Sequence, residues 1–89
     1  MKVVIYGKPN CPWCDRAKNL VKDVEGIEHE YIDITQVGID GPKLSEICGQ
    51  LVTSVPQVFV DGKYNPHGFQ GLMPVVAKHK ASLPQKEAC

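Results

Sequence analysis

Eighty-nine residues, 43% of them apolar and 22% charged, describe one small globular domain, too short for two cores and too apolar for a disordered chain. Ten Lys/Arg balance ten Asp/Glu, and no dense basic run carries interleaved aromatics, which argues against nucleic acid as a partner. No apolar run approaches bilayer-spanning length, and Met1-Lys2 leads straight into an apolar segment, so the expected compartment is a reducing cytoplasm.

Val3 to Tyr6 is a nearly continuous apolar run, the pattern of a strand buried on both faces. Gly7-Lys8-Pro9-Asn10 turns the chain, and Cys11-Pro12-Trp13-Cys14 opens a helix, with Pro12 in the first turn, where a missing N–H costs nothing. Ala17, Leu20, Val21 and Val24 give that helix one buried face, and Gly26 marks its end. His29 to Ile34 alternates as a second strand, Tyr31 and Asp33 on one face, Ile32 and Ile34 on the other. A strand, helix and strand at this spacing predict parallel pairing with a right-handed crossover.

After a loop from Thr35 to Gly41, Pro42 is expected at the first position of a second helix. Its inner stripe is Leu44, Ile47 and Cys48, with Leu51 as a further candidate and Cys48 as a small buried hydrophobe. Val55-Pro56 and Gln57 to Val60 read as extended, Asp61-Gly62 as a hairpin turn, and Lys63-Tyr64 as a short partner strand. Asn65 to Gly68 turns into a last helix with Leu72, Val75 and Val76 inside, where Pro74 is tolerable only in the first turn. Residues 81–89 read as a polar tail to a domain of residues 1–80. The order βαβα-ββα predicts an α/β protein, a four-stranded mixed sheet flanked by three helices, with the cysteine turn at the carboxyl end of the first strand.

That turn carries the chemistry. The free N–H groups and the dipole of a helix's first turn favour negative charge. A thiolate there is expected at a pKa of about 3.5 to 7.5, against about 8.5 for a free thiol. Cys11 is the expected exposed nucleophile, and Cys14, one turn on, can close a disulfide with it. Two other readings compete. Half of a zinc site would need a second pair of ligands, but Cys48, Cys89, His29, His67 and His79 are scattered singly, so no metal is expected. A pair of inert core thiols fits poorly with Pro12 and Trp13 between them, which suit a surface turn. Residues 1–22 hold Lys2, Lys8, Arg16, Lys18 and Lys22 against Asp15 alone, whereas residues 23–46 hold seven acids and Lys43. The motif therefore sits in a basic section that favours a thiolate and an anionic partner.

Cys11-Pro12-Trp13-Cys14, then Ser54-Val55-Pro56-Gln57-Val58-Phe59-Val60-Asp61-Gly62, then His67-Gly68-Phe69-Gln70-Gly71-Leu72, in this order, resemble a glutaredoxin from Met1 to about Lys80. The long link from Gly49 to Val55, and Gly-Phe ahead of the last helix, are similar to bacteriophage-encoded members. The resemblance implies a thioredoxin fold, Cys11 and Cys14 as the catalytic pair, and a cis Pro56 that turns the Val55 backbone toward an extended peptide. That peptide is glutathione, a co-substrate; no bound cofactor is implied. Lys8, helped by Gln50, would hold its glycine carboxylate. The N–H groups around Gly68, Phe69 and Gln70 would hold its γ-glutamyl carboxylate, and Trp13 would flank the sulfur. Each has a plainer alternative: Lys8 a solvated loop charge, Trp13 a packing residue, Gln50 an ordinary surface residue, Thr53 and Ser54 the end of a loop.

This chain departs from the family pattern at His67, in place of Gly, and at Gln70, in place of the Asp that pairs with the glutathione ammonium. Exchanging a charged for a neutral hydrogen bond implies up to about tenfold weaker binding. The implied activity is dithiol reduction of protein disulfides or glutathione mixed disulfides, at about −200 to −230 mV, by a cytoplasmic monomer with ribonucleotide reductase as a client. Three alternatives stand beside it: a thioredoxin-like donor recycled by thioredoxin reductase, an iron–sulfur cluster carrier, and a non-catalytic binding module.

Overall fold

The computed structural model describes residues 1–82. Strand β1 (Lys2–Gly7) is central, pairing in parallel with β2 (Glu28–Asp33) and antiparallel with β3 (Gln57–Val60), which pairs antiparallel with β4 (Lys63–Asn65). The order β2-β1-β3-β4 is the expected mixed sheet. Its two faces follow from the period of two. Val3, Ile5 and Val58 point to one side, fully buried, against helices α1 (Pro12–Val21) and α3 (Gly68–Ser82), which add Ala17, Val21, Leu72 and Val76. Tyr6 and Phe59 point to the other, where Leu44 and Cys48 of helix α2 (Gly41–Cys48) and Val52 form a second cluster. The three layers place the end of β1, and the turn after it, beside the link from α2 to β3.

Several boundaries differ from the sequence reading. Helix α1 stops at Val21, not near Gly26, and leaves Val24 in the turn that follows; Asp23 takes the left-handed conformation (φ +58°), which aspartate tolerates better than most side chains. Strand β2 begins one residue early, because its parallel register matches Lys2 with Glu28. Asp40, not anticipated as a cap, accepts the Lys43 N–H at 2.9 Å and starts α2 at Gly41, moving Pro42 to its second position. The helix then ends at Gly49 (φ +77°), so Leu51 cannot extend its stripe and is 83% exposed. Asp61 (φ +50°) and Gly62 (φ +83°) form the anticipated hairpin turn, both with positive φ.

Pro74 is the largest departure. It is the seventh residue of α3 rather than part of its first turn. Without an N–H it leaves the Gln70 carbonyl without its i+4 donor. The helix continues because Leu72 and Val76, on either side of Pro74, are buried against the sheet, and Pro74 itself is exposed. Burying two such side chains yields about 1.5 to 3 kcal/mol each, enough to offset the loss. The same helix runs through Ala81 and Ser82, two residues into the segment read as a tail; residues 83–89, Cys89 among them, lie outside those described.

Candidate active site

The strand-to-helix turn brings Cys11 and Cys14 together, with Cα atoms 5.2 Å apart, and joins them in a disulfide. Cys11 is the N-cap of α1: its Sγ accepts the Cys14 N–H at 3.3 Å, the contact by which a helix N-terminus favours negative charge on sulfur. Cys14 is completely buried, and Cys11 retains 8% exposure. The expected difference between the two is present, but Cys11 is more covered than anticipated: its sulfur is bonded to that of the buried Cys14 and lies 4.0 Å from the Val55 carbonyl oxygen. A thiol arriving from solvent can meet only Cys11.

Val55 sits where the chain enters β3, and the Val55–Pro56 bond is cis, as expected. Opposite it, α3 begins at Gly68 (φ +51°), where a Cβ would come within 2.9 Å of the Pro56 carbonyl oxygen. Glycine is required at that place both by the backbone angle and by the approach. The Gly71 N–H donates to the His67 carbonyl at 3.0 Å, so the N–H groups of Gly68, Phe69 and Gln70 are the free ones of this helix.

Between these walls runs a groove of about 450 Å³. Six of the anticipated residues line it: Trp13, Val55, Pro56, Gly68, Phe69 and Gln70. Trp13 is a wall rather than a core residue, 48% exposed, with Phe69 at 5.8 Å between ring centres and the Arg16 guanidinium 4.5 Å over its ring. Lys8 lines a separate hollow of about 150 Å³, which shares Val52 to Val55 with the groove, so it lies across that segment. Gln50 lines neither; its N–H closes the end of α2 on the Ser45 carbonyl at 3.2 Å.

The groove also gathers residues the sequence reading did not place there: Leu51, Val52, Gln57 and Tyr64. Gln57 carried a signal, since a polar side chain in an apolar strand is either turned to water or has buried partners. Leu51 and Tyr64 carried none. Among the described residues that line it, the groove has no Asp or Glu, and His67 is its one basic side chain. On the far side of the link, burial pushes the Cys48 thiol up from its ordinary value, offset in part by the Tyr64 hydroxyl. That places Cys48 with packing rather than chemistry.

A helix-capping dithiol beside a cis proline and an open groove has counterparts among known proteins. The family model described as Glutaredoxin matches residues 3–64. This chain belongs to the glutaredoxin family. A glutaredoxin of Haemophilus influenzae is 45% identical over 67 residues, covering 71% of this chain and 77% of that protein. Glutaredoxin 1 of Escherichia coli is 37% identical over 68 residues, covering 72% of this chain and 80% of its own length. Among solved structures, reduced Escherichia coli glutaredoxin superposes with a TM-score of 0.78 at 31% identity over 92% of this chain and all of that one. The buckwheat glutaredoxin–glutathione complex gives 0.66 at 27% identity, over 88% of this chain and 70% of that one. The architecture is the thioredoxin fold that the resemblance implied, and glutaredoxins are thiol–disulfide oxidoreductases that use glutathione. This chain is such an oxidoreductase.

Proposed function

We propose that Cys11 is the attacking thiolate and that glutathione is recognised along the groove between Val55 and α3. The observation that carries this is the placement of the Cys11 sulfur: it caps α1, it belongs to the one member of the pair with any exposure, and it lies 4.0 Å from the carbonyl oxygen of Val55, a residue that lines the groove.

Reduction of a disulfide RS–SR′ then takes two exchanges. The Cys11 thiolate attacks one sulfur, forming a Cys11–SR bond as R′S⁻ leaves and takes up a proton. The Cys14 thiolate attacks the Cys11 sulfur, expels RS⁻, and leaves the disulfide present in this structure. Two glutathione thiols return the pair to the dithiol form, and glutathione disulfide is released. Where the substrate is a glutathione mixed disulfide, a second glutathione can resolve the Cys11 adduct in place of Cys14.

The extended glutathione backbone pairs with Val55, its sulfur lies between Cys11 and Trp13, one carboxylate meets the free N–H groups at Gly68, Phe69 and Gln70, and the other reaches Lys8. The protein works as a monomer in the cytoplasm, where glutathione keeps thiols reduced, and ribonucleotide reductase is a client of the kind it serves. The test is reduction of a glutathione mixed disulfide coupled to glutathione reductase. Wild type and Cys14→Ser turn over, and Cys11→Ser does not. Wild type that is idle in this assay but reduces insulin when supplied by thioredoxin reductase would overturn the glutathione assignment.

A further inference from the structure

Pairing with an extended peptide needs the Val55 N–H to face the groove, and the segment that carries it, Ser54-Val55-Pro56, lies outside regular secondary structure. One side chain holds it. Gln57 is 6% exposed, the one buried polar side chain among the described residues. Its Nε2 donates to the Ser54 carbonyl at 2.7 Å, and its Oε1 accepts the Tyr64 O–H at 2.5 Å. Tyr64 is in turn fixed on β4, its ring 5.5 Å from that of Phe59.

The geometry of a trans peptide gives this contact its meaning. The Ser54 carbonyl and the Val55 N–H belong to one planar unit and point to opposite sides of the chain. A donor that draws the carbonyl toward Gln57 therefore aims the N–H away from it. The Ser54 carbonyl only accepts, so Nε2 must face it, since the flipped amide would set two oxygens against each other; Oε1 then points to Tyr64, whose O–H donates to it and holds the carboxamide in place.

We propose that Gln57 and Tyr64 are positioning residues for substrate. Together they lock the plane of the Ser54–Val55 peptide, and through it the direction in which the Val55 N–H meets the peptide part of a disulfide ligand. Neither touches the reacting sulfurs. The inference rests on the proposed pairing of glutathione with Val55.

The test compares wild type, Gln57→Leu, Gln57→Glu and Tyr64→Phe on two substrates: a glutathione mixed disulfide and a small aromatic disulfide with no peptide group to pair. Gln57→Glu keeps the size of the side chain and the bond from Tyr64 but, when ionised, cannot donate to Ser54. It serves if the leucine variant fails to fold. The expected result is a rise in KM for the glutathione substrate of about tenfold in both Gln57 variants and about threefold in Tyr64→Phe, with kcat nearly kept. The ratio of kcat/KM on the glutathione substrate to that on the aromatic one falls by the same factors. An unchanged ratio would overturn the proposal, whether KM stays put or both activities fall together with the melting temperature. The glutathione reading fails differently, with wild type itself idle on the mixed disulfide. The same KM comparison, made on an extended peptide disulfide, then decides the positioning role.

Discussion

His67 and Gln70 both line the groove, and each makes a prediction of its own. His67 has φ +73°, a left-handed conformation that costs an ordinary side chain roughly 1 to 2 kcal/mol and glycine almost nothing. Glycine loses about 0.5 to 1 kcal/mol more through the freedom of the unfolded chain. His67→Gly is therefore expected to raise stability by about 0.5 to 1 kcal/mol, and His67→Val to lower it, in urea unfolding. A fall in His67→Gly would mean that the imidazole makes a contact worth more than its backbone strain. Gln70 is exposed on the groove wall and can offer a ligand ammonium only a dipole. Gln70→Asp places a carboxylate in a groove whose described lining has none, and the KM for a glutathione mixed disulfide is expected to drop up to about tenfold, the difference between a neutral and a charged hydrogen bond.

At the scale of elements, the helices differ in what holds them. Helix α2 depends on its ends, with the Asp40 cap at one and Gly49 at the other. Helix α3 carries a proline in its seventh position and survives by the burial of Leu72 and Val76. Pro74→Ala restores the donor for the Gln70 carbonyl in an exposed position, and is expected to stabilise the protein by about 1 to 3 kcal/mol, read as a higher melting temperature. No gain would show that the carbonyl has another partner. The element that positions the site is the link from Gly49 to Pro56, anchored at both ends. Val52 exchanges hydrogen bonds with the Ser45 hydroxyl at 2.9 and 3.1 Å, and Gln57 holds Ser54. Its exposed middle, Leu51 and Thr53, is left to form the groove's rim.

For the molecule as a whole, the ionisable groups predict the shape of stability against pH. Asp33 is held below its ordinary 3.8, first by the Thr35 hydroxyl at 2.6 Å and then, against some burial, by backbone N–H groups. A lowered acid contributes stability above its unfolded value and loses it as pH falls through the folded one. Burial raises Cys48 above 9.0 and Tyr6, Tyr31 and Tyr64 above 10.0. Their contribution is complete below those values and is lost as pH rises through them. Urea midpoints should form a plateau around neutrality, fall below about pH 4, and fall again above about pH 9. Tyr64→Phe should flatten the alkaline limb, and Thr35→Ala the acid one.

Among the described residues the order of the elements was legible because local signals agreed with one another: period-two strands, two helices with proline in the first turn, and a hairpin turn made by Asp61 and Gly62. The pairing of Cys11 with Cys14 and the place of Cys11 at a helix N-terminus could be read from spacing and position alone, since both are matters of local geometry. Helix ends were less legible, because Asp23 and Pro74 are judged by propensity in the sequence and by packing in the structure. Least legible was which side chains meet in the groove. Gln57 and Tyr64 are seven residues apart across a hairpin, and neither has a reason to be singled out until the antiparallel register pairs Tyr64 with Phe59, two residues on from Gln57, and so puts the two side chains within hydrogen-bonding reach. Lys8 and Gln50, named from resemblance, stand outside the groove for the same reason. A sequence states what each residue can do; only the pairing of β3 with β4 and the crossing of α3 over Pro56 decided which of them line the same groove.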